Sequence, residues 1–261
     1  MKHEKRISVI NQKGGVGKTT TVLNFGIGLA HRGYKVLLVD ADSQGSLTVS
    51  LGEHDLDHLD LTLASLMYGV VMNRPIDPHD AILHSREGVD FIPSNHELSG
   101  VSTALTSLPN REFILKTILD SVRSEYDYIL IDCLPSLGLV ALNSLVAADS
   151  VIIPCQPAYL STKGLNILLR TISKTSRVLN PMLTIDGILL TCADVHTKNA
   201  KEIMQALRDS TSVRIFDTVI PRSVKVAECS NRGQSIYKHN PTGKVAAAYE
   251  DLIDEVLSYG I

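Results

Sequence analysis

The 261-residue chain has no tryptophan, and aromatic residues make up only 5% of it. Valine, isoleucine, leucine and alanine are plentiful instead, and apolar residues reach 44%. That usage suits buried parallel strands covered by helices. The four cysteines, Cys133, Cys155, Cys192 and Cys229, form no C-x-x-C pair, which excludes the usual zinc or redox-dithiol spacing and leaves reduced core thiols as the expectation. No apolar run approaches the roughly 18 residues of a membrane span, and the opening MKHEKRISVI has charges but no apolar signal core. A cytoplasmic protein is expected. The formal charge of −3 excludes a globally basic polyanion binder, so any nucleic-acid site must be a local patch. Repeats, low-complexity tracts and Pro/Gly linkers are also missing, and one domain over residues 1–261 is expected, with 52–110 as a peripheral, partly helical elaboration.

Strand and helix patterns alternate along the rest. Strands are predicted at 6–11, 35–40, 88–94, 126–133, 149–155, 185–192 and 212–220. Helices are predicted at 18–32, 61–72, 111–124, 138–147, 161–178, 198–208 and 242–258. The first helix ends at Gly33, and the last repeats Val245, Tyr249, Leu252, Ile253 and Val256 on one face. This order implies an α/β fold, a mainly parallel twisted sheet with helices on both faces, whose ligand site lies at the carboxyl ends of the strands. Asn11, Asp40 and Asp132 stand at such ends.

The chemistry concentrates in NQKGGVGKTT, Asn11 to Thr20, a glycine-rich turn between the first strand and the first helix. Backbone N–H groups of Gly14, Gly15, Val16, Gly17, Lys18, Thr19 and Thr20 can wrap phosphate oxygens, helped by the positive end of the helix. Lys18 would neutralise the β- and γ-oxygens, and the Thr19 hydroxyl would ligate Mg²⁺. The ordinary loop of this kind has its first glycine where this chain has Gln12, and the chain adds a second lysine, Lys13. No N/T-K-x-D guanine reader is present, because TKNA (197–200) lacks the carboxylate, so ATP is expected rather than GTP.

The segments NQKGGVGKTTT, VLLVDADSQG, YDYILIDCLPSLG and IPRSVKVAE together resemble ParA/Soj-type partition ATPases, members of the ParA/MinD class of P-loop ATPases with a deviant Walker A motif. The likeness runs over about residues 6–258 and is weakest from 52 to 110. It implies that Lys13 reaches the phosphates of a partner subunit in an ATP-sandwich homodimer. It also implies that Asp132 holds Mg²⁺ through a water and that Asp42 positions the attacking water beside the Mg²⁺ shell. Lys13, Lys18 and Asp42 are thus the implied catalytic set. The residues alone leave Asp42 open as a helix N-cap and Asp40 as a strand-end acceptor for backbone N–H groups. The resemblance further places Ile220, Pro221 and Arg222 against the adenine, with a contact from Thr191 and Cys192. Ser43 and Leu134 stand where many relatives carry proline.

By the same resemblance, the ATP dimer binds double-stranded DNA without sequence preference, a ParB-like partner stimulates hydrolysis, and the protein associates with the nucleoid to segregate a chromosome, plasmid or mobile element. Local support comes from Pro221–Lys244, which holds five cations, including Arg222 and Lys225, against the single acid Glu228. Lys198 is a further candidate, beside His196 where many relatives have arginine. Two alternatives remain, a MinD-like positioning ATPase and an ATP-dependent transcriptional regulator. The tail EDLIDEVLSYGI is acidic on its polar side, which argues against a membrane anchor. A metal-cluster carrier of this class would need closely spaced cysteines, which the chain lacks.

Overall fold

Apolar runs four to six residues long become strands because both faces of the sheet are covered. The computed structural model describes residues 4–106, 108–157, 163–193 and 213–259. Its strands are β1 (Lys5–Val9), β2 (Val36–Ala41), β3 (Leu83–His84), β4 (Asp90–Ile92), β5 (Tyr128–Cys133), β6 (Ser150–Cys155), β7 (Thr184–Ala193) and β8 (Ile215–Pro221). They form one sheet in the order β3-β4-β2-β5-β1-β6-β7-β8. All pairings are parallel except β3 on β4. β2, β5 and β6 are buried at every residue, which is why they read as unbroken apolar runs rather than alternating ones.

The helices are α1 (Lys18–His31), α2 (Ser46–Ser50), α3 (Leu63–Val71), α4 (Leu98–Leu105), α5 (Ile114–Val122), α6 (Leu139–Ala147), α7 (Lys163–Val178), α8 (Val224–Asn231), α9 (Ile236–His239) and α10 (Lys244–Ser258). One face of the sheet, through Leu37, Val39, Ile129 and Ile131, packs on α3 to α7. The other, through Ile7, Val9, Leu38 and Leu130, packs on α1 and α10. α1 lies so close to the sheet that a β-carbon on Gly26 would stand 2.6 Å from Leu38 Cδ2. Gly33 follows α1 with φ +89°, and its N–H donates to the Ala30 carbonyl, a left-handed stop as expected from the sequence.

The predicted strands and long helices are present with small shifts at their ends. The sequence reading missed α2, α4, α8, α9 and the two-residue β3. Residues 52–110, read as peripheral, add β3 and β4 to the sheet and bury Leu63, Met67, Val101 and Leu105 in the core. The helix predicted at 198–208 lies outside the described residues, as do Lys198 and His196.

Candidate nucleotide site

The site grows from the carboxyl ends of β1, β2 and β5. Beyond β1 the chain turns through Gly15 at φ +71° and Gly17 at φ +81°, conformations that a β-carbon would strain. Gly17 is the N-cap residue of α1, and no side chain caps it, so the first N–H groups of the helix face the cavity. That cavity, of about 440 Å³, is lined by Gly14, Lys18, Thr19, Asp42, Gln44 and Pro135 among others. It is concave, polar and closed at its base by a helix N-terminus, as an anion site requires.

Side chains from three strand ends brace the loop. The Lys13 N–H donates to Asn11 Oδ1 at 3.0 Å, and Asn11 Nδ2 donates to the Pro154 carbonyl at 2.8 Å. The Thr191 hydroxyl donates to the Val16 carbonyl at 2.7 Å. Gln156 Nε2 donates to the Gly15 carbonyl at 3.0 Å. The carbonyls of Gly15 and Val16 are thus tied to side chains at the ends of the sheet strands. Lys18 is 7% exposed, and its ammonium donates to the Lys13 carbonyl at 3.2 Å. Burial lowers its pKa, while Asp132 and Asp42 act to raise it. Lys13 takes another direction, its ammonium donating to Gln156 Oε1 at 3.1 Å.

The acidic half of the site is uneven. Asp40 and Asp132 are register partners on β2 and β5, both fully buried. Asp40 is satisfied. Its Oδ2 accepts from the Thr48 N–H at 2.9 Å and the Thr48 hydroxyl at 2.7 Å, and its Oδ1 accepts from the Asp42 N–H at 3.2 Å. Burial still pushes its pKa up to about 6 despite these bonds. Asp40 thus ties the start of α2 to the end of β2, the strand-end role that the residues alone had left open. Neither oxygen of Asp132 has a hydrogen-bond partner of good geometry among the described residues. Burial and then the Asp40 charge push its pKa well above the usual carboxylate range, and the nearby Thr19 hydroxyl and Lys18 offset this only in part. A buried carboxylate left in that state near the Thr19 hydroxyl fits a divalent cation that takes most of its ligands from phosphate and water, since no three His, Cys, Asp or Glu side chains among the described residues form a metal site of their own. Asp42 does not cap a helix. Its Oδ1 accepts from the Gln44 N–H at 3.0 Å in a local turn, and the N-cap residue of α2 is Gly45.

A second cavity, of about 330 Å³, adjoins the first through Gly15, Gly17 and Thr20. Ile220, Pro221 and Arg222 line it, together with Thr191 and Cys192, so the residues predicted to border a base lie beside those predicted to hold its phosphates. Cys192 is exposed there, at φ +51°, which corrects the expectation of four core thiols; Cys133, Cys155 and Cys229 are buried. Of the proposed DNA residues, Arg222 and Lys225 are described. Lys225 lies on α8, paired with Glu228 at 2.9 Å, while Arg222 belongs to the cavity wall. Sequence reasoning missed Gln156 and Thr48. Gln156 acts on residues brought close only by the sheet, whereas Thr48 lies eight positions from Asp40 and carries no motif that marks it.

The profile of a family described as an AAA domain matches residues 4–185. The Bacillus subtilis sporulation initiation inhibitor protein Soj is 39% identical over 257 residues, covering 98% of this chain and 99% of that protein. The chain belongs to the Soj/ParA family of partition ATPases. As a member of that family it is an ATPase. Among solved structures, the Mycobacterium smegmatis protein named cobyrinic acid a,c-diamide synthase, with a bound ATP analogue and magnesium, superposes with a TM-score of 0.86. It is 35% identical, and the match covers 98% of this chain and 95% of that one. The septum site-determining protein MinD of Pyrococcus horikoshii, solved with Mg-ADP, gives a TM-score of 0.76 at 27% identity, covering 98% and 97%. The family and the fold thus agree with the P-loop architecture built above.

Proposed function

We propose that the protein is an ATP-hydrolysing partition protein that closes into a nucleotide-sandwich homodimer, and that this dimer binds DNA without sequence preference. The observation that carries the reading is the divergence of two lysines on one loop. The Lys18 ammonium turns inward to the Lys13 carbonyl, whereas the Lys13 ammonium leaves toward Gln156 at the end of β6. On this reading one cation serves the protomer's own phosphates and the other those of a neighbouring copy.

The cofactors are ATP and Mg²⁺. Thr19, Asp42 and, through a water, Asp132 would hold Mg²⁺, which when bound neutralises charge developing on the β- and γ-phosphates. Gly14 to Thr20 orient the triphosphate through their N–H groups, and Lys18 neutralises it. Ile220, Pro221 and Arg222 border the base. Asp42 orients the water for attack, and the partner's Lys13 supplies the second cation that a loose phosphoryl-transfer transition state favours. DNA contacts are assigned to Arg222, Lys225 and Lys198, with a ParB-like protein accelerating hydrolysis and release, so that the ATP form resides on the nucleoid. A MinD-like membrane role has less support. Tyr249, Leu252, Ile253 and Val256 of α10 are buried in the core, so that helix has no apolar face left for lipid. No helix among the described residues is long and apolar enough to cross a membrane.

Sedimentation with and without ATP tests this reading. Lys18→Ala should lose nucleotide binding. Lys13→Ala should keep ATP affinity within about a few-fold yet lose dimerisation and turnover, since it removes only the contact made in trans. Asp42→Ala should accumulate as a persistent ATP dimer. A Lys13→Ala protein that dimerises and hydrolyses ATP normally would overturn the reading.

A further inference from the structure

Gln156 is the only one of the three loop braces that also holds a side chain of the loop. Its Nε2 donates to the Gly15 carbonyl at 3.0 Å while its Oε1 accepts from the Lys13 ammonium at 3.1 Å, across 143 positions of sequence. An ammonium only donates and a carbonyl only accepts, so the two contacts fix which end of the carboxamide faces which group. One planar group therefore meets both the backbone of the phosphate loop and the extra lysine.

We propose that Gln156 is a positioning residue that retains Lys13 on its own subunit until pairing with a second nucleotide-bound copy draws the ammonium across. The inference rests on the trans reading of Lys13. To reach another subunit's phosphates, the ammonium must first leave Oε1. A neutral amide suits that task. It orders a long side chain whose rotamer freedom is costly to remove, yet its bond is weaker than the charge-assisted contacts an ammonium makes to phosphate, so the exchange runs toward the dimer. A carboxylate at this position would hold the lysine too firmly, and an apolar side chain would remove this hold on it. When Lys13 departs, Nε2 still supports Gly15, so the phosphate cradle survives the transfer. Gln156 thus sets the threshold for dimer closure without touching the nucleotide.

Three variants test this. Gln156→Ala and Gln156→Met remove both contacts, with Met keeping the length should Ala unfold the protein. Gln156→Glu keeps the acceptor, adds charge and loses the donor to Gly15. The first readout is competitive acetylation of the nucleotide-free protein, followed by mass spectrometry, with the exposed Lys35 as internal reference. Lys13 should react about fivefold faster in the Ala and Met variants, the equilibrium equivalent of one ordinary hydrogen bond, and more slowly than wild type in the Glu variant. The second readout is the protein concentration at half-dimerisation in saturating ATP. It should fall about fivefold in Ala and Met and rise about tenfold in Glu. A purely structural brace predicts that Glu damages the loop as Ala does, and variants shifting both readouts in one direction would overturn the proposal. So would unchanged labelling and midpoints in a protein whose dimerisation still requires Lys13. Normal dimerisation of Lys13→Ala would instead bring down the trans reading itself.

Discussion

Asp132 is a buried carboxylate beside a second one, with no good hydrogen-bond partner among the described residues. Its neutral amide isostere should make the nucleotide-free protein more stable by about 1–3 kcal/mol near neutral pH, because a group whose ionised form is disfavoured by burial and by Asp40 is replaced by a neutral one of the same shape. Asp132→Asn should also lose the dependence of nucleotide affinity on Mg²⁺. Scanning calorimetry without nucleotide and ATP titrations with and without Mg²⁺ check both outcomes, and a lower melting temperature in the variant would contradict the first. The pH dependence has a definite sign. Burial pushes the pKa of Asp40 up to about 6, above its unfolded value near 4, and that of its neighbour Asp132 in the same direction, so the stability the pair contributes is complete below about pH 4 and is lost as pH rises through 6 and beyond. The nucleotide-free protein should therefore melt higher at pH 6 than at pH 7.5, and Mg²⁺ with ATP should raise the melting temperature more at pH 7.5. At this scale Lys18, Thr19 and Lys13 were legible because a phosphate loop is a local pattern. Gln156 was not, since its role depends on β6 lying beside β1.

Among the elements, the central strands were legible because burial on both faces demands unbroken aliphatic runs, as in VLLVDA of β2. α4, with the sequence LSGVSTAL, was not. Glycine, serine and threonine give it poor intrinsic helix propensity, and it forms because Leu98, Val101 and Leu105 reach the core. α2 is only five residues long and depends on Asp40, whose carboxylate accepts both the N–H and the hydroxyl of Thr48. α1 carries a constraint of a different kind. Gly26 faces Leu38 and Leu130 so closely that a larger residue must displace their buried side chains or the helix itself. Gly26→Val should destabilise the fold by about 1–3 kcal/mol, seen as a lower urea midpoint with an unchanged slope. An unchanged midpoint would mean that α1 lifts away at no cost, in conflict with the packing described above.

For the whole molecule, the sequence implied a parallel sheet but not the strand order, because pairing partners are set by packing among distant segments. The net charge of −3 leaves DNA affinity to a local patch, and one protomer offers few cations on it. A two-fold dimer doubles them, so duplex binding should appear with ATP and not with ADP, and unrelated duplexes should bind alike. In fluorescence anisotropy, log K should fall with log[salt] at about −0.9 per phosphate contact. Arg222→Ala should lower that slope by about one to two units in the dimer, compared at saturating ATP because Arg222 also lines the base cavity. Lys225→Ala should change it less, since Lys225 is already engaged with Glu228. Equal binding in ADP would refute the gating.

The strand order also bears on biosynthesis. β1 is made first, yet its two sheet neighbours are β5 and β6, which end at Cys133 and Cys155. Every residue from β1 through Cys155 must therefore leave the ribosome before the strand that leads into the phosphate loop is sheltered on both edges. During that interval its apolar residues and unpaired N–H groups stand open to chaperones and proteases. Nascent chains arrested before β6 emerges should be cleaved within residues 5–31, whereas longer ones should resist. Nucleotide can protect the newborn protein only after β6 has emerged, once the sheet that carries the loop has closed around it.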